Sequence, residues 1–297
     1  MIYERQKHLL ALVNVIGGEV GSLDFQKLLL LYCLEVEESP SYEFVPYKFG
    51  GFSFTSYADK RGLIGKGLFA DENRIWKLTP EGRSVPITVS ILTAMSRFVK
   101  RHEGLRGNEL VAEVYRRHPY YAIRSEITEQ VLAGDTAALK AIAAARPSKG
   151  SPGLCTIGYE GRTLEGFLNA LIKDEVAVLC DVRQNPMSRK YGFSKSTLQK
   201  CCKGVNIRYE HIPELGIASE NRRGLRSRED YDTLFDAYTR ETLPSQANAL
   251  TKIMNWIEKG ERVALTCYER VPEQCHRTCV AKELERRFGK VCTPKYL

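Results

Sequence analysis

The sequence predicts an α/β protein in two parts, a mainly helical N-terminal part and a C-terminal domain built on a parallel sheet. Three observations carry this. After residue 153, short apolar runs alternate with helical stretches, the pattern of strands joined by crossover helices. Before residue 143, apolar residues recur mostly at helical spacing. Between the two, Ala143-Ala144-Ala145-Arg146-Pro147-Ser148-Lys149-Gly150-Ser151-Pro152-Gly153 passes from helix formers to Pro, Ser and Gly, as a linker does.

The N-terminal elements follow in order. Residues 4–16 and 24–37 have helical periodicity, and Asp24 is placed to cap the second helix. Tyr47-Lys48-Phe49-Gly50-Gly51-Phe52-Ser53 is turn-rich and aromatic, and Tyr57 to Leu63 is a short helix. Ile75-Trp76-Lys77-Leu78-Thr79-Pro80-Glu81-Gly82 alternates like a strand and ends in a turn. This order, with the Gln26-Lys27-Leu28-Leu29 helix and the leucine-threonine-x-x-glycine strand, resembles the winged-helix and antitoxin-related domains of bacteria. The resemblance covers about residues 1–85 and implies either a helix for the DNA major groove or a protein-contact module. Residues 86–146 form a helical connector that includes Asn108–Arg117. Its Tyr120, Tyr121 and Arg124 are either nucleic-acid contacts or core.

Residues 147–297 supply the strands Leu154–Tyr159, Ala177–Val182, Arg208–Ile212 and Val263–Cys267, with an edge strand at Val291–Pro294. Helices are expected at Leu164–Lys173, Lys195–Lys203, Tyr231–Lys259 and Cys275–Phe288. Such a Rossmann-like sheet binds ligands at the carboxyl ends of its strands. Each of those ends is polar: Gly158-Tyr159-Glu160, Asp181-Val182-Arg183, Pro213-Glu214-Leu215 and Cys267-Tyr268-Glu269-Arg270, followed by Cys275-His276-Arg277.

Composition limits the function classes. The chain of 297 residues is 43% hydrophobic and 27% charged, which excludes disorder and a small disulfide scaffold. No apolar run has the roughly 18–20 residues of a membrane span, and no signal peptide opens the chain, so a cytoplasmic protein with no membrane partner is expected. Its nine cysteines are then reduced thiols for packing, metal or catalysis. The net charge of +8 is uneven, because residues 1–146 hold 19 Lys+Arg and 17 Asp+Glu while residues 147–297 hold 25 and 19. That excess fits a polyanionic partner, nucleic acid (DNA in first place) or a nucleotide.

The C-terminal half also resembles the bacterial domain-of-unknown-function 488 family. The matching motifs are Thr156-Ile157-Gly158, Asp181-Val182-Arg183 with Pro186, Ser188 and Arg189, Pro213-Glu214-Leu215-Gly216, and Cys267 with Glu269, Cys275, His276 and Arg277. Tyr159-Glu160 departs from the His-Ser or similar pair of many members. The resemblance implies the fold and little chemistry, so function rests on the residues.

Three chemistries compete for the rim. Cys275-His276-Arg277 at a helix start suits an anion, although the spacing excludes a C-x5-R phosphatase loop. Cys267, Cys275, His276 and Cys279 offer soft ligands for zinc, against the simpler expectation of no metal and no cofactor. Asp181, Glu214 and Glu269 supply acids for cleavage of an N-glycosidic bond.

The leading expectation is a nucleic-acid-directed, DNA glycosylase-like hydrolase in DNA repair or antiviral defence, acting on a flipped base. In it Asp181 or Glu269 stabilises the sugar cation, and Glu214 or His276 handles the proton. Arg183, Arg189, Arg277, Arg222, Arg223 and Cys275 bind phosphate or substrate, Tyr159 stacks on the base, and Cys267 is the candidate thiol. The alternatives are a DNA-binding regulator whose thiol-rich rim senses an anion, metal or oxidant, and a zinc-dependent hydrolase.

Overall fold

The computed structural model describes residues 2–148, 150–222, 224–225 and 227–297. The chain divides into two compact units, residues 1–146 and 147–297. Among the described residues, no helix is long and apolar enough to cross a membrane.

The first unit is mainly helical. Its elements run α1 (Glu4–Val15), β1 (Glu19–Gly21), α2 (Ser22–Glu35), β2 (Val45–Tyr47), β3 (Gly50–Phe52), α3 (Phe54–Ile64), β4 (Ile75–Lys77), α4 (Pro80–Arg83), α5 (Val89–Arg101), α6 (Gly107–Arg117), α7 (Thr128–Val131) and α8 (Thr136–Ala144). The short strands form two antiparallel pairs, β1 with β4 and β2 with β3. The turn-rich aromatic stretch is thus a hairpin. Leu28 to Leu31 of α2 are fully buried, and Phe25 stacks on Trp76 of β4 with ring centres 3.6 Å apart. Burying side chains of this size contributes roughly 1.5–3 kcal/mol each. Asp24 is not the cap of α2, whose N-cap is Gly21. It lies one turn further in, and its Oδ1 accepts the Gly107 N–H at 2.8 Å, which caps α6 instead.

The second unit is an α/β layer structure. It comprises β5 (Gly153–Gly158), α9 (Leu164–Lys173), β6 (Val178–Asp181), α10 (Lys195–Gly204), β7 (Arg208–His211), α11 (Arg228–Ala237), α12 (Ala247–Glu258), β8 (Arg262–Cys267), α13 (His276–Phe288) and β9 (Lys295–Tyr296). The five strands lie in the order β7-β6-β8-β5-β9, all parallel. Leu154, Val178, Cys180, Val263 and Leu265 face a core shared with α12 and α13. The alternate positions Cys155, Ile157, Leu179 and Ala264 are equally buried, so both sheet faces are covered.

Two expectations change here. The stretch read as one helix from Tyr231 to Lys259 is two. α11 ends at Ala237, and the chain then passes through a π turn, Tyr238–Thr242, and a 3-10 turn, Leu243–Gln246. Pro244 has no N–H to continue an α-helical ladder. The edge strand lies at Lys295–Tyr296, because Lys290–Cys292 forms a 3-10 turn first.

Candidate functional site

The chain leaves β6 toward β7 and leaves β8 toward β9, on the opposite side. The carboxyl ends of β6 and β8 therefore part from one another, the position where open α/β sheets bind ligands. A cavity of about 340 Å3 opens there, with walls that include Tyr159, Arg183, Gln184, Asn185, Arg189, Cys267, Tyr268 and Glu269. Two glycines permit the close approach of its walls. A Cβ on Gly158 would stand 1.9 Å from the Glu269 carbonyl oxygen, and one on Gly216 would stand 2.2 Å from the Gln184 nitrogen.

Cys267 is the last residue of β8, and after a seven-residue return Cys275 is the N-cap of α13 and His276 its first residue. The ligand atoms of Cys267, Cys275 and His276 all lie within 4.8 Å of one another, and all three residues are buried. His276 Nε2 is 3.0 Å from the Val182 carbonyl oxygen. A carbonyl only accepts, so this nitrogen carries a proton and donates it. Nδ1 faces the Cys267 Sγ at 3.7 Å. The same thiol donates to Glu269 Oε2 at 3.4 Å. Burial pushes the Cys275 thiol pKa well up, and the neighbouring Cys267 thiol and Glu269 add to this.

The three acids do not converge. Asp181, at the end of β6, has no exposed surface and accepts four hydrogen bonds. Arg183 gives three of them, from its backbone N–H at 3.1 Å, Nε at 2.8 Å and Nη2 at 2.6 Å. Tyr209 gives the fourth at 2.6 Å. Burial lowers the Arg183 pKa, and the Asp181 carboxylate more than reverses this, so the net shift is upward. Glu214 is exposed in the 3-10 turn Pro213–Leu215. Among the described residues, Glu269 is the one carboxylate on the cavity wall.

The other expected residues divide between the wall and its supports. Tyr159 lines the cavity, but its ring is stacked on Phe193 at 4.3 Å and its hydroxyl accepts from Arg183 Nη1 at 2.9 Å. Arg189 is exposed at the rim. Arg277 is buried and clamps the loop after β8. Its Nη1 donates to the Glu269 carbonyl at 2.6 Å, and Nη2 donates to that of Arg270 at 3.3 Å. Cys279 stands apart from the cluster, in a groove on α13 that Cys275 also lines. Arg223 lies outside the described residues, and of Arg222 only the backbone, in the turn Ser219–Arg222, is described.

Tyr268, 45% exposed on the cavity wall, and the amides of Gln184 and Asn185 belong to the polar strand ends, although residue type alone assigns them no role. Their signal was position. Tyr268 directly follows β8, and Gln184 and Asn185 lie three and four residues past the end of β6.

The match to known proteins falls on this unit. Residues 163–284 fit the model of the Domain of unknown function DUF488. These residues are a DUF488 domain. The DUF488 match takes in Asp181, Arg183, Glu214, Cys267, Glu269, Cys275, His276 and Arg277, and begins just after Tyr159. No curated protein and no solved structure matches the chain.

Proposed function

We propose that the DUF488 domain is a zinc-dependent hydrolase acting on a nucleotide or on a base of a nucleic acid, DNA in first place. The observation that carries this reading is the grouping of Cys267, Cys275 and His276 donor atoms within 4.8 Å, next to Glu269 on the cavity wall. Two thiolates and an imidazole suit zinc, and three protein ligands leave a fourth position for catalysis, whereas structural sites use four. The hydrogen bond from His276 to Val182 is the kind of outer contact that orients a metal-bound imidazole.

Bound zinc supplies Lewis acidity for hydrolysis. Glu269 takes a proton from the attacking water and returns it to the leaving group. Arg277 holds the loop that carries Glu269, so it is a positioning residue. Tyr268 offers an exposed ring for a base, Gln184 and Asn185 offer amides for base edges, and Arg189 brings positive charge to the phosphate side.

A second reading, cleavage of an N-glycosidic bond, is favoured by one observation. Glu269, a lone carboxylate beside the exposed Tyr268 ring, could offset the positive charge that develops on a sugar. It needs no metal.

The test combines metal analysis with turnover of nucleosides, nucleotides and oligonucleotides carrying modified bases. About one equivalent of zinc is expected, as a three-ligand catalytic site holds a single ion. Glu269→Gln should keep the zinc and lose at least about a hundredfold in turnover. Turnover by metal-free protein would overturn the zinc reading and leave the glycosidic one.

A further inference from the structure

We propose that the N-terminal unit carries a binding site for a small aromatic acid, built around Lys27. A cavity of about 590 Å3 lies between α2 and the β2–β3 hairpin. Ligand sites for small molecules are of this size and are mostly apolar, with few polar groups. Its walls hold four aromatic rings, those of Tyr47, Phe49, Phe52 and Tyr57. Phe52 stacks on Tyr57 at 4.9 Å and lies 4.8 Å from Tyr47, so three of the rings form one continuous surface for a planar guest.

The charge on the lining has one sign. Lys27 and Arg74 line the cavity, and no Asp or Glu does among the described residues. Lys27 is only 2% exposed, and among the described residues its Nζ donates to one acceptor, the Gly51 carbonyl at 3.1 Å. An ammonium has three donors, so this cation is buried with most of its hydrogen bonding unmet. Its pKa falls to about 7, because burial disfavours the charged form more than Asp24 restores it. Asp24, one turn earlier on α2, is occupied in capping α6 through Gly107. The neighbouring polar side chain Gln26 is satisfied at both ends, by Ser56 at 2.8 Å and the Ser53 N–H at 2.9 Å. Lys27 is thus the group left wanting a partner.

A carboxylate on a flat aromatic body meets each of these features. The ring fills the apolar wall, the carboxylate accepts from Lys27, and Arg74 stands at the exposed mouth. A buried cation that destabilises its own unit is offset once the acid is bound.

The experiment uses the full chain and three probes, benzoate, indole-3-carboxylate and 2-naphthoate, each against its neutral primary amide. At least one acid should raise the melting temperature and bind about tenfold or more tightly than its amide, a difference of about 1.4 kcal/mol. Lys27→Met should abolish that preference while itself melting higher than the parent. Three results would overturn the site: no stabilisation by any of the acids at about 5 mM, undiminished acid binding by Lys27→Met, or a Lys27→Met protein less stable than the parent.

Discussion

His276 donates its Nε2 proton to the Val182 carbonyl at 3.0 Å, and that bond turns Nδ1 toward the Cys267 sulfur 3.7 Å away. A residue at the start of α13 is thereby registered against the end of β6, with the last residue of β8 between them. Replacing His276 would remove one of the three proposed zinc ligands and orphan a buried carbonyl together. His276→Ala should lower zinc affinity by more than about a hundredfold, as read by competition with a chromophoric chelator. Affinity equal to that of the parent would remove His276 from the metal site.

Asp181 is expected to matter for stability far more than for turnover. Asp181→Asn takes the charge from a carboxylate with four hydrogen bonds and leaves the buried Arg183 unneutralised. Breaking such a pair costs about 3–5 kcal/mol. Urea denaturation should show that loss, with zinc content unchanged and turnover per folded molecule within a few-fold of the parent. Abolished turnover in a stably folded variant would return Asp181 to the chemistry.

Lys27 gives a pH signature. Its pKa is about 7 in the folded protein and 10.5 ordinarily, so the unfolded chain binds the extra proton between those values. Stability therefore rises with pH across that window. Below pH 7 the folded protein must bury the charge, and Lys27→Met should then be more stable by on the order of a few kcal/mol. The advantage should shrink from pH 7 upward and vanish near pH 10.5. Chemical denaturation at pH 6, 8 and 10 checks the slope. A pH-independent difference would contradict the burial of a cation.

Gly158 and Glu269 provide a backbone test of the site. A methyl group on Gly158 would meet the Glu269 carbonyl at 1.9 Å, and that carbonyl is the one Arg277 grips. Gly158→Ala must therefore shift the loop that aims the Glu269 carboxylate. Turnover is expected to fall about a hundredfold, at a stability cost of about 1–3 kcal/mol. Zinc content should be retained, since Cys267, Cys275 and His276 are untouched.

The sheet was legible because its strands are buried on both faces, and continuous apolar runs such as those ending at Gly158 and Cys267 announce that. The break at Pro244 was concealed by good helical periodicity on either side of it. β9 was misplaced because a two-residue edge strand has no pattern of its own. In the site, the sequence showed which residues reach the rim but not which way they turn. On residue types alone, a buried salt bridge from Asp181 to Arg183 or Arg277 competes with a catalytic role, and the fold shows the pair with Arg183. Helical spacing alone already sets Cys279 apart from Cys275. The start of α13 bears this out, with Cys279 about one turn further along the helix and outside the cluster.

Cys267 lines the cavity at the strand ends, whereas Cys275 lines the groove of Phe235, Thr239, Cys279 and Lys282. Their sulfur atoms are within 4.8 Å, so the cluster is a thin partition with a separate opening on each side. A bulkier side chain at either cysteine would therefore press on both depressions at once, because the two are separated by little more than the pair of sulfur atoms.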